Sequence, residues 1–280
     1  MIKTGLFAVA RNNMPYCTLM EKAHAMGFET LELYCFDDLA TPDLEVAKMI
    51  REKSLELNMS VDCLSMGADL FADQQKEMER VKGYIDVAAQ AGSKYTHFTL
   101  FPVLAHDPAG LPTGKVIKQI APAVRELCQY GAERGIMCLC EGQGYYMNGI
   151  APMDALMELV DHPNFGLVAD LGNPACVDED PVDFIGHFGT HIKHVHLKDF
   201  QLRSSQPEDG FLWRNTKHGK FFRRVPVGTG DIDLVRAFRL LKQLNYQGAV
   251  VLEDQFVGQE AARAADLAAI KTIVKTVCQD

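Results

Sequence analysis

The sequence predicts an α/β chain closed into a single-domain (β/α)8 TIM barrel, and three observations predict it. Eight short apolar runs rich in β-branched or aromatic residues recur along the 280 residues, and a segment of helical period follows each. The step from helix to next strand repeats one device, a helix end, a glycine and a new strand, at Met26-Gly27-Phe28, Ala91-Gly92-Ser93 and Arg134-Gly135-Ile136. Crossovers through helices make neighbouring strands parallel. Eight such units match a closed barrel of about 250 residues better than the competing open doubly wound sheet, and no G-x-G-x-x-G follows the first strand.

The elements follow in order. Ile2 to Ala8 is the first strand, and Tyr16 to Met26 its helix, stopped by Gly27. Thr30 to Tyr34 precedes a helix over Pro42 to Leu57, with Pro42 in the first turn, where a missing N–H costs nothing. Ser60 to Ser65 is followed by Asp73 to Ala91, and Tyr95 to Phe101 by Gly114 to Arg134. Met137 to Glu141 leads to a helix over Pro152 to Val160, again with proline in the first turn. Gly166 to Asp170 and Ile192 to Lys198 are the sixth and seventh strands, with Pro181 to Gly189 between them. A polar and aromatic insertion at about 200–227 interrupts the alternation before the helix at Asp231 to Leu244. Gly248 to Glu253 and Glu260 to Val277 complete one domain over 1–280. Long loops in compact domains are usually functional or disordered, so the insertion reads as a substrate wall or as a surface hairpin.

Composition excludes several classes. No apolar run approaches the roughly 18 to 20 residues of a membrane span. The first residues lack the apolar stretch and cleavage site of a signal peptide, so a cytoplasmic location is expected. Lys plus Arg number 28 against 37 Asp plus Glu, a formal charge of -9, which argues against nucleic acid as a partner. The eight cysteines are scattered without paired C-x-x-C spacing and read as small buried hydrophobes. His24, His106, His162, His187, His191 and His218 read as surface or loop residues, and His97 as a satisfied core histidine.

Barrel enzymes build their sites at the C-terminal ends of strands. Four strands here end on a metal-competent side chain, Glu141, Asp170, His196 and Glu253, at separations of 29, 26 and 57 residues. Period-two alternation lets all four point inward while Cys140, Ala169, Val195 and Leu252 point outward. Three converging carboxylates would repel one another, and a divalent ion relieves that cost. The oxygen-rich set suits manganese, magnesium, cobalt or iron more than a structural zinc. His194 shares the face of His196 one layer deeper. Lys198 continues that face towards the ion, and Trp213 is positioned to stack on a sugar ring or to anchor its loop. Gly228 and Gly230 lie where such barrels often hold a phosphate, with Arg224 the nearest cation.

At these residues the chain resembles the xylose isomerase-like TIM-barrel superfamily of sugar phosphate isomerases and epimerases. The resemblance is carried by Gly27-Phe28-Glu29-Thr30-Leu31-Glu32-Leu33, Leu167-Val168-Ala169-Asp170-Leu171-Gly172-Asn173, His194-Val195-His196-Leu197-Lys198-Asp199, Val225 to Asp233, and Tyr246 to Glu253. It implies that Glu141, Asp170, His196 and Glu253 bind one divalent ion, manganese first with magnesium, cobalt, iron or zinc as alternatives, that polarises a carbonyl and its neighbouring hydroxyl. It further implies that Glu141 and Glu253 move a proton through an enediolate. Asn173 stands where related ketose 3-epimerases have His, and Gly142-Gln143-Gly144-Tyr145-Tyr146-Met147 replaces their second Glu, so the substrate shell differs. A metal-binding His of the apurinic endonuclease branch is also missing at Leu100-Phe101-Pro102, so one ion is expected. Gln143, Asn173, His194, Lys198, Trp213 and Arg224 are the candidates for substrate contact.

The expected function is a divalent-metal-dependent isomerase or epimerase of a small sugar or sugar derivative. A lyase of the inosose dehydratase kind, acting on a keto-sugar or keto-cyclitol, and a non-catalytic sugar-binding barrel are the alternatives. Barrels of this type commonly pair through their helices, so a homo-oligomer is expected as well.

Overall fold

Alternate residues of a barrel strand face the axis or the helix layer, and this decides what each strand delivers to the mouth. The computed structural model describes residues 2–9, 14–100, 112–253 and 260–279. Its strands are β1 (Lys3–Val9), β2 (Thr30–Tyr34), β3 (Ser60–Ala68), β4 (Tyr95–Leu100), β5 (Met137–Glu141), β6 (Phe165–Asp170), β7 (Ile192–Leu197), β8 (Asp199–Arg203), β9 (Arg214–Asn215), β10 (Phe221–Val225) and β11 (Ala249–Leu252). Its helices are α1 (Tyr16–Met26), α2 (Leu44–Leu57), α3 (Gln74–Ala91), α4 (Thr113–Ala132), α5 (Ile150–Val160), α6 (Pro181–Phe188), α7 (Leu234–Gln243) and α8 (Glu260–Gln279). Eight strands close into a barrel in the order β1-β11-β7-β6-β5-β4-β3-β2, every pairing parallel. The chain is therefore the predicted (β/α)8 barrel, a single domain. Phe101, Pro102, His106 and Asp254, which entered the sequence reading, lie outside the described residues. None of the described helices is long and apolar enough to cross a membrane.

The helix ends follow local chemistry. Gly27 and Gly92 take φ of 88° and 80°, a left-handed turn that lets their N–H groups cap the preceding carbonyls. Pro42 lies before α2, not in its first turn as expected. The Asp43 carboxylate starts the helix two residues later, at Leu44, by accepting from the N–H groups of Glu45 (2.8 Å) and Val46 (3.2 Å). Asp180 and Asp233 cap α6 and α7 in the same way, which moves the start of α7 from the expected Asp231 to Leu234.

Two strand pairs shift register. Leu31 pairs with Val61 but Glu32 pairs with Cys63, and Leu167 pairs with Ile192 but Val168 pairs with His194. An extra residue in one strand bends it and re-aims the next side chains. Both shifts fall beside groups that meet inside the barrel, Glu32 and His194.

The seventh strand ends at Leu197, and the chain leaves the barrel at Lys198. Residues from Asp199 to Val225 build a separate antiparallel sheet in the order β8-β10-β9. Phe200 and Phe222 of that sheet pack with Ala175 and Cys176 in a small apolar cluster of their own, so the insertion stands as an ordered wall over the mouth.

Candidate functional site

Four strand ends bring together Glu141, Asp170, His196 and Glu253, and one ligand atom from each lies within 4.8 Å of the others. His196 Nδ1 is 2.7 Å from Glu141 Oε1 and 3.6 Å from Glu253 Oε2. Lys198 Nζ lies 3.0 Å from Asp170 Oδ2 and 2.6 Å from Glu253 Oε2, and donates to Asn173 Oδ1 at 3.0 Å. The chain turns just after β6, so Asp170 Oδ1 accepts the N–H groups of Gly172 (2.7 Å) and Asn173 (2.6 Å). Those bonds aim the other oxygen, Oδ2, into the cage, where it is buried with no hydrogen-bond partner beyond the nearby ammonium. A buried carboxylate oxygen in that condition is expensive unless a cation satisfies it. Three carboxylates and one imidazole thus fit a divalent cation.

The electrostatics reflect the crowding. Burial pushes the Asp170 carboxyl up, opposed by Lys198 and reinforced by Glu141 and Glu253. Burial also favours protonation of Glu253 and Glu141, but for Glu253 the charges of Lys198 and His196, and for Glu141 those of His196 and Lys198, hold each carboxyl below its usual value. Burial pulls Lys198 down, yet Asp170, Glu253 and Glu141 together raise it. The three acids share the charges of Lys198 and His196, which is the condition a divalent cation relieves.

Beneath the cage lies a second cluster that the sequence reading did not single out. Glu32, on β2 and fully buried, accepts or shares protons with three histidines: Oε1 with His97 Nδ1 (3.0 Å), and Oε2 with His194 Nε2 (2.7 Å) and His196 Nε2 (2.6 Å). Burial pushes Glu32 up, but His196 and His194 outweigh it and hold the carboxyl well below its ordinary value. Glu32 thus bonds the nitrogen of His196 that faces away from the cage, which leaves Nδ1 for the cage. Glu32 also groups with Cys63 and His194 at metal-ligand spacing, but its oxygens are already occupied by the imidazoles. The available signal was a Glu between two fully buried leucines, Leu31 and Leu33, since period two then places it on the axis.

A cavity of about 370 Å³ opens above the cage, and Gln143, Asn173, Lys198, Arg224 and Glu253 are among its walls. Asn173 is held through side chain and backbone: its Nδ2 donates to Gly142 O (3.1 Å), and its main-chain carbonyl accepts from Asn148 Nδ2 (2.7 Å). Asn148, buried and absent from the sequence reading, therefore ties the ends of β5 and β6 together. Two expected substrate contacts lie elsewhere. His194 is fully buried in the Glu32 cluster. Trp213 donates from its indole N–H to Asp209 Oδ1 (3.0 Å) and stacks near Arg203 and Arg223, because cation–π contacts within the insertion hold its ring. The N–H groups of Gly228 and Gly230 do not form a phosphate cradle, because both donate to Asp199 Oδ2, at 2.8 and 2.9 Å. His97 is the satisfied core histidine expected.

Comparisons with known proteins bear on the fold and the family. The inosose dehydratase of Clostridium tetani (strain Massachusetts / E88) is 33% identical over 121 residues, 41% of this chain. The chain spans 38% of that relative's length. The structure of 3-keto-D-glucoside 4-epimerase from E. coli, in its apo form, superimposes with a TM-score of 0.77 at 17% identity, covering 97% of this chain and 100% of that one. A structure of the IOLI protein with a bound zinc atom gives a TM-score of 0.72 at 18% identity and covers 99% of both chains. These structural likenesses are likenesses of fold. The pattern of the xylose isomerase-like TIM barrel family matches residues 20–273, and with that match over almost the whole barrel the chain belongs to this family.

Proposed function

We propose that this protein is a divalent-cation-dependent isomerase or epimerase of a small sugar or sugar derivative, moving a proton at a carbon beside a carbonyl. The observation that carries the reading is the cage itself, with a buried Asp170 Oδ2 that meets only the Lys198 ammonium, beside a cavity whose walls include Lys198 and Glu253. A divalent cation held by Glu141, Asp170, His196 and Glu253 supplies Lewis acidity to the carbonyl oxygen and its neighbouring hydroxyl. Glu253 is 20% exposed on its side chain and lines the cavity, whereas Glu141 is 3% exposed behind His196. Glu253 therefore meets the substrate's C–H first and takes its proton, and Glu141 serves the opposite side of the cage. Lys198, raised and fully charged, donates to the substrate oxygen on which negative charge develops. Asn173 holds that ammonium in place.

A second reading is a dehydratase, favoured by the inosose dehydratase relatives. The same proton removal by Glu253 would then expel a β-hydroxyl, with Lys198 placed to protonate it. One experiment separates the two. A panel of keto-sugars and keto-cyclitols is incubated in D2O with Mn(II) and after chelation. Cation-dependent deuterium uptake without mass loss supports the isomerase, and loss of one water per turnover supports the lyase. Deuterium uptake that ignores the cation sinks both.

A further inference from the structure

We infer that the substrate of this site is a conjugate, a keto-sugar or keto-cyclitol with an aromatic group on the side away from its carbonyl, and that Phe211 and Leu212 of the insertion hold that group. The inference rests on the proton-transfer reading above and narrows its substrate class.

Phe211 and Leu212 lie just before β9, and both line the cavity whose walls include Asn173, Lys198 and Glu253. They are among the most exposed large apolar side chains of the described residues, at 61% and 82%, whereas Asn173 and Lys198 are each 5% exposed. The cavity therefore runs from a buried polar end at the cage to an open apolar rim. A single exposed leucine needs no explanation, but two adjacent large apolar groups in the wall of a substrate cavity are surface for an apolar part of the occupant to cover. The volume of about 370 Å³ leaves room for a second ring, since pockets of roughly 300–1,000 Å³ take drug-sized ligands. The reacting carbon has to reach the cage, so the group at the rim is the one furthest from the carbonyl.

The rim is an ordered piece of the insertion. The Asp209 carboxylate accepts the Phe211 N–H at 3.1 Å and the Trp213 indole N–H at 3.0 Å. The Arg223 guanidinium lies 4.0 Å from the centroid of the Phe211 ring, fixed there because its Nε donates to Gln201 Oε1 at 2.8 Å. The Tyr145 hydroxyl donates to the Asn215 carbonyl, which fastens β9 to the segment after β5. Phe211 is thus backed on one side by a cation while most of the residue stays open, so little ordering remains to be done when a ligand ring arrives.

Arg214, Arg223 and Arg224 share this cavity and favour an aromatic guest over an aliphatic one. Arg223 is engaged by Phe211 and Gln201, and Arg224 also interacts within the protein. A guanidinium is flat and weakly hydrated, and it stacks on aromatic faces. A planar ring can lie against Phe211 and Leu212 and meet those planes at its edge or face, whereas an alkyl chain gains only from the apolar contact.

The test uses the whole chain loaded with Mn(II) and three ligands with one carbonyl in common, D-fructose, 6-O-methyl-D-fructose and 6-O-benzyl-D-fructose, whose ether oxygen is at the chain end away from that carbonyl. Calorimetry measures binding, and NMR in D2O follows deuterium uptake. The emission of Trp213, the single tryptophan of the chain, reports on the rim, because its ring and that of Phe211 share Arg223. The benzyl ether should bind about tenfold or more tightly than the methyl ether, a margin of about 1.4 kcal/mol, and should shift the Trp213 emission where the methyl ether does not. Because the contact is apolar, the margin should persist at high salt. The double variant F211S/L212S should bring the benzyl-to-methyl ratio to within about twofold, while F211Y/L212M, which keeps the apolar rim and tests for a folding defect, should retain most of it. Equal binding of the two ethers, no binding of the benzyl ether, a margin that F211S/L212S retains or that salt removes, or an unchanged Trp213 emission overturns the inference. A rim-dependent benzyl preference without cation-dependent deuterium uptake would leave this inference standing and defeat the proton-transfer reading. Deuterium uptake into D-fructose with no benzyl preference does the reverse.

Discussion

The cage at the strand ends and the Glu32 cluster beneath it are made of the same residue types, share His196, and are both buried. They differ in how their charges are met. Glu32 offers two oxygens and has three imidazoles on them, so its carboxylate is fully engaged by the protein. The cage sets three carboxylates against Lys198 and the shared His196, and leaves Asp170 Oδ2 with the Lys198 ammonium alone. Saturated polar clusters rigidify a core, whereas an undersatisfied one is a place for something else to bind. On the function proposed above, the difference separates the part of the polar interior that holds the barrel together from the part that binds the cation.

The comparison can be broken at either end. The largest effect is expected from Glu253→Gln, which removes a cage carboxylate with little change in shape. Cation-dependent deuterium uptake should fall by about 10²- to 10⁴-fold, as for loss of a general base, while the cation-free protein, which loses the Lys198 and His196 contacts of a partly exposed carboxylate, gives up less stability than in Glu32→Gln. A collapse in stability instead would mean that the cage is structural. Glu32→Gln should do the opposite. Removing one partner from a buried charged cluster costs about 3–5 kcal/mol, read by denaturant unfolding, and freeing the outer nitrogen of His196 should weaken Mn(II) binding about 10- to 100-fold. An unfolding free energy within about 1 kcal/mol of the parent would show that the deep cluster is not what holds the barrel.

Asp170→Asn retains the Oδ1 bonds to Gly172 and Asn173 but discharges the oxygen aimed into the cage. Mn(II) at 100 times its Kd should stabilise the parent by about 2.7 kcal/mol and this variant by much less, as scanning calorimetry would show. Equal stabilisation of both would place the cation elsewhere. The smallest effect belongs to a pair outside both clusters. Glu77 accepts Arg80 Nε at 2.9 Å, and that bond, against a smaller opposing effect of burial, holds its carboxyl below the usual value. Its contribution is complete above the ordinary carboxylate range and fades as pH falls through the lowered folded value. Glu77→Gln should therefore cost at most about 1 kcal/mol near neutrality and nothing in strong acid. A cost that persisted in acid would assign the effect to packing.

Much of this was readable in the sequence because it depends on local period. All eight barrel strands, and the helix that follows each, were found where apolar runs and glycine stops placed them. The cage residues were visible because each stands at the end of its strand, where a polar side chain needs a reason. Glu32 was hidden because a lone acid inside a short strand looks like its solvent side, and only the closed barrel turns that side inward. The helix starts at Leu44 and Leu234 were displaced because aspartates just before them, not the prolines and glycines, set the first turn. Trp213 was drawn away from the cavity by partners within its own insertion, contacts that no spacing rule announces.

Asp199 has a meaning beyond hydrogen bonding. It follows Lys198 directly, and its carboxylate clasps Gly228 and Gly230, where the insertion rejoins the barrel chain; a side chain at Gly230 would overlap that carboxylate. The two ends of the insertion are thus pinned side by side, one residue from the ammonium of the cage. Mechanically the insertion is a closed loop on a single buckle: a change between residues 200 and 227 leaves the buckle at Asp199 in place, and with it the position of Lys198.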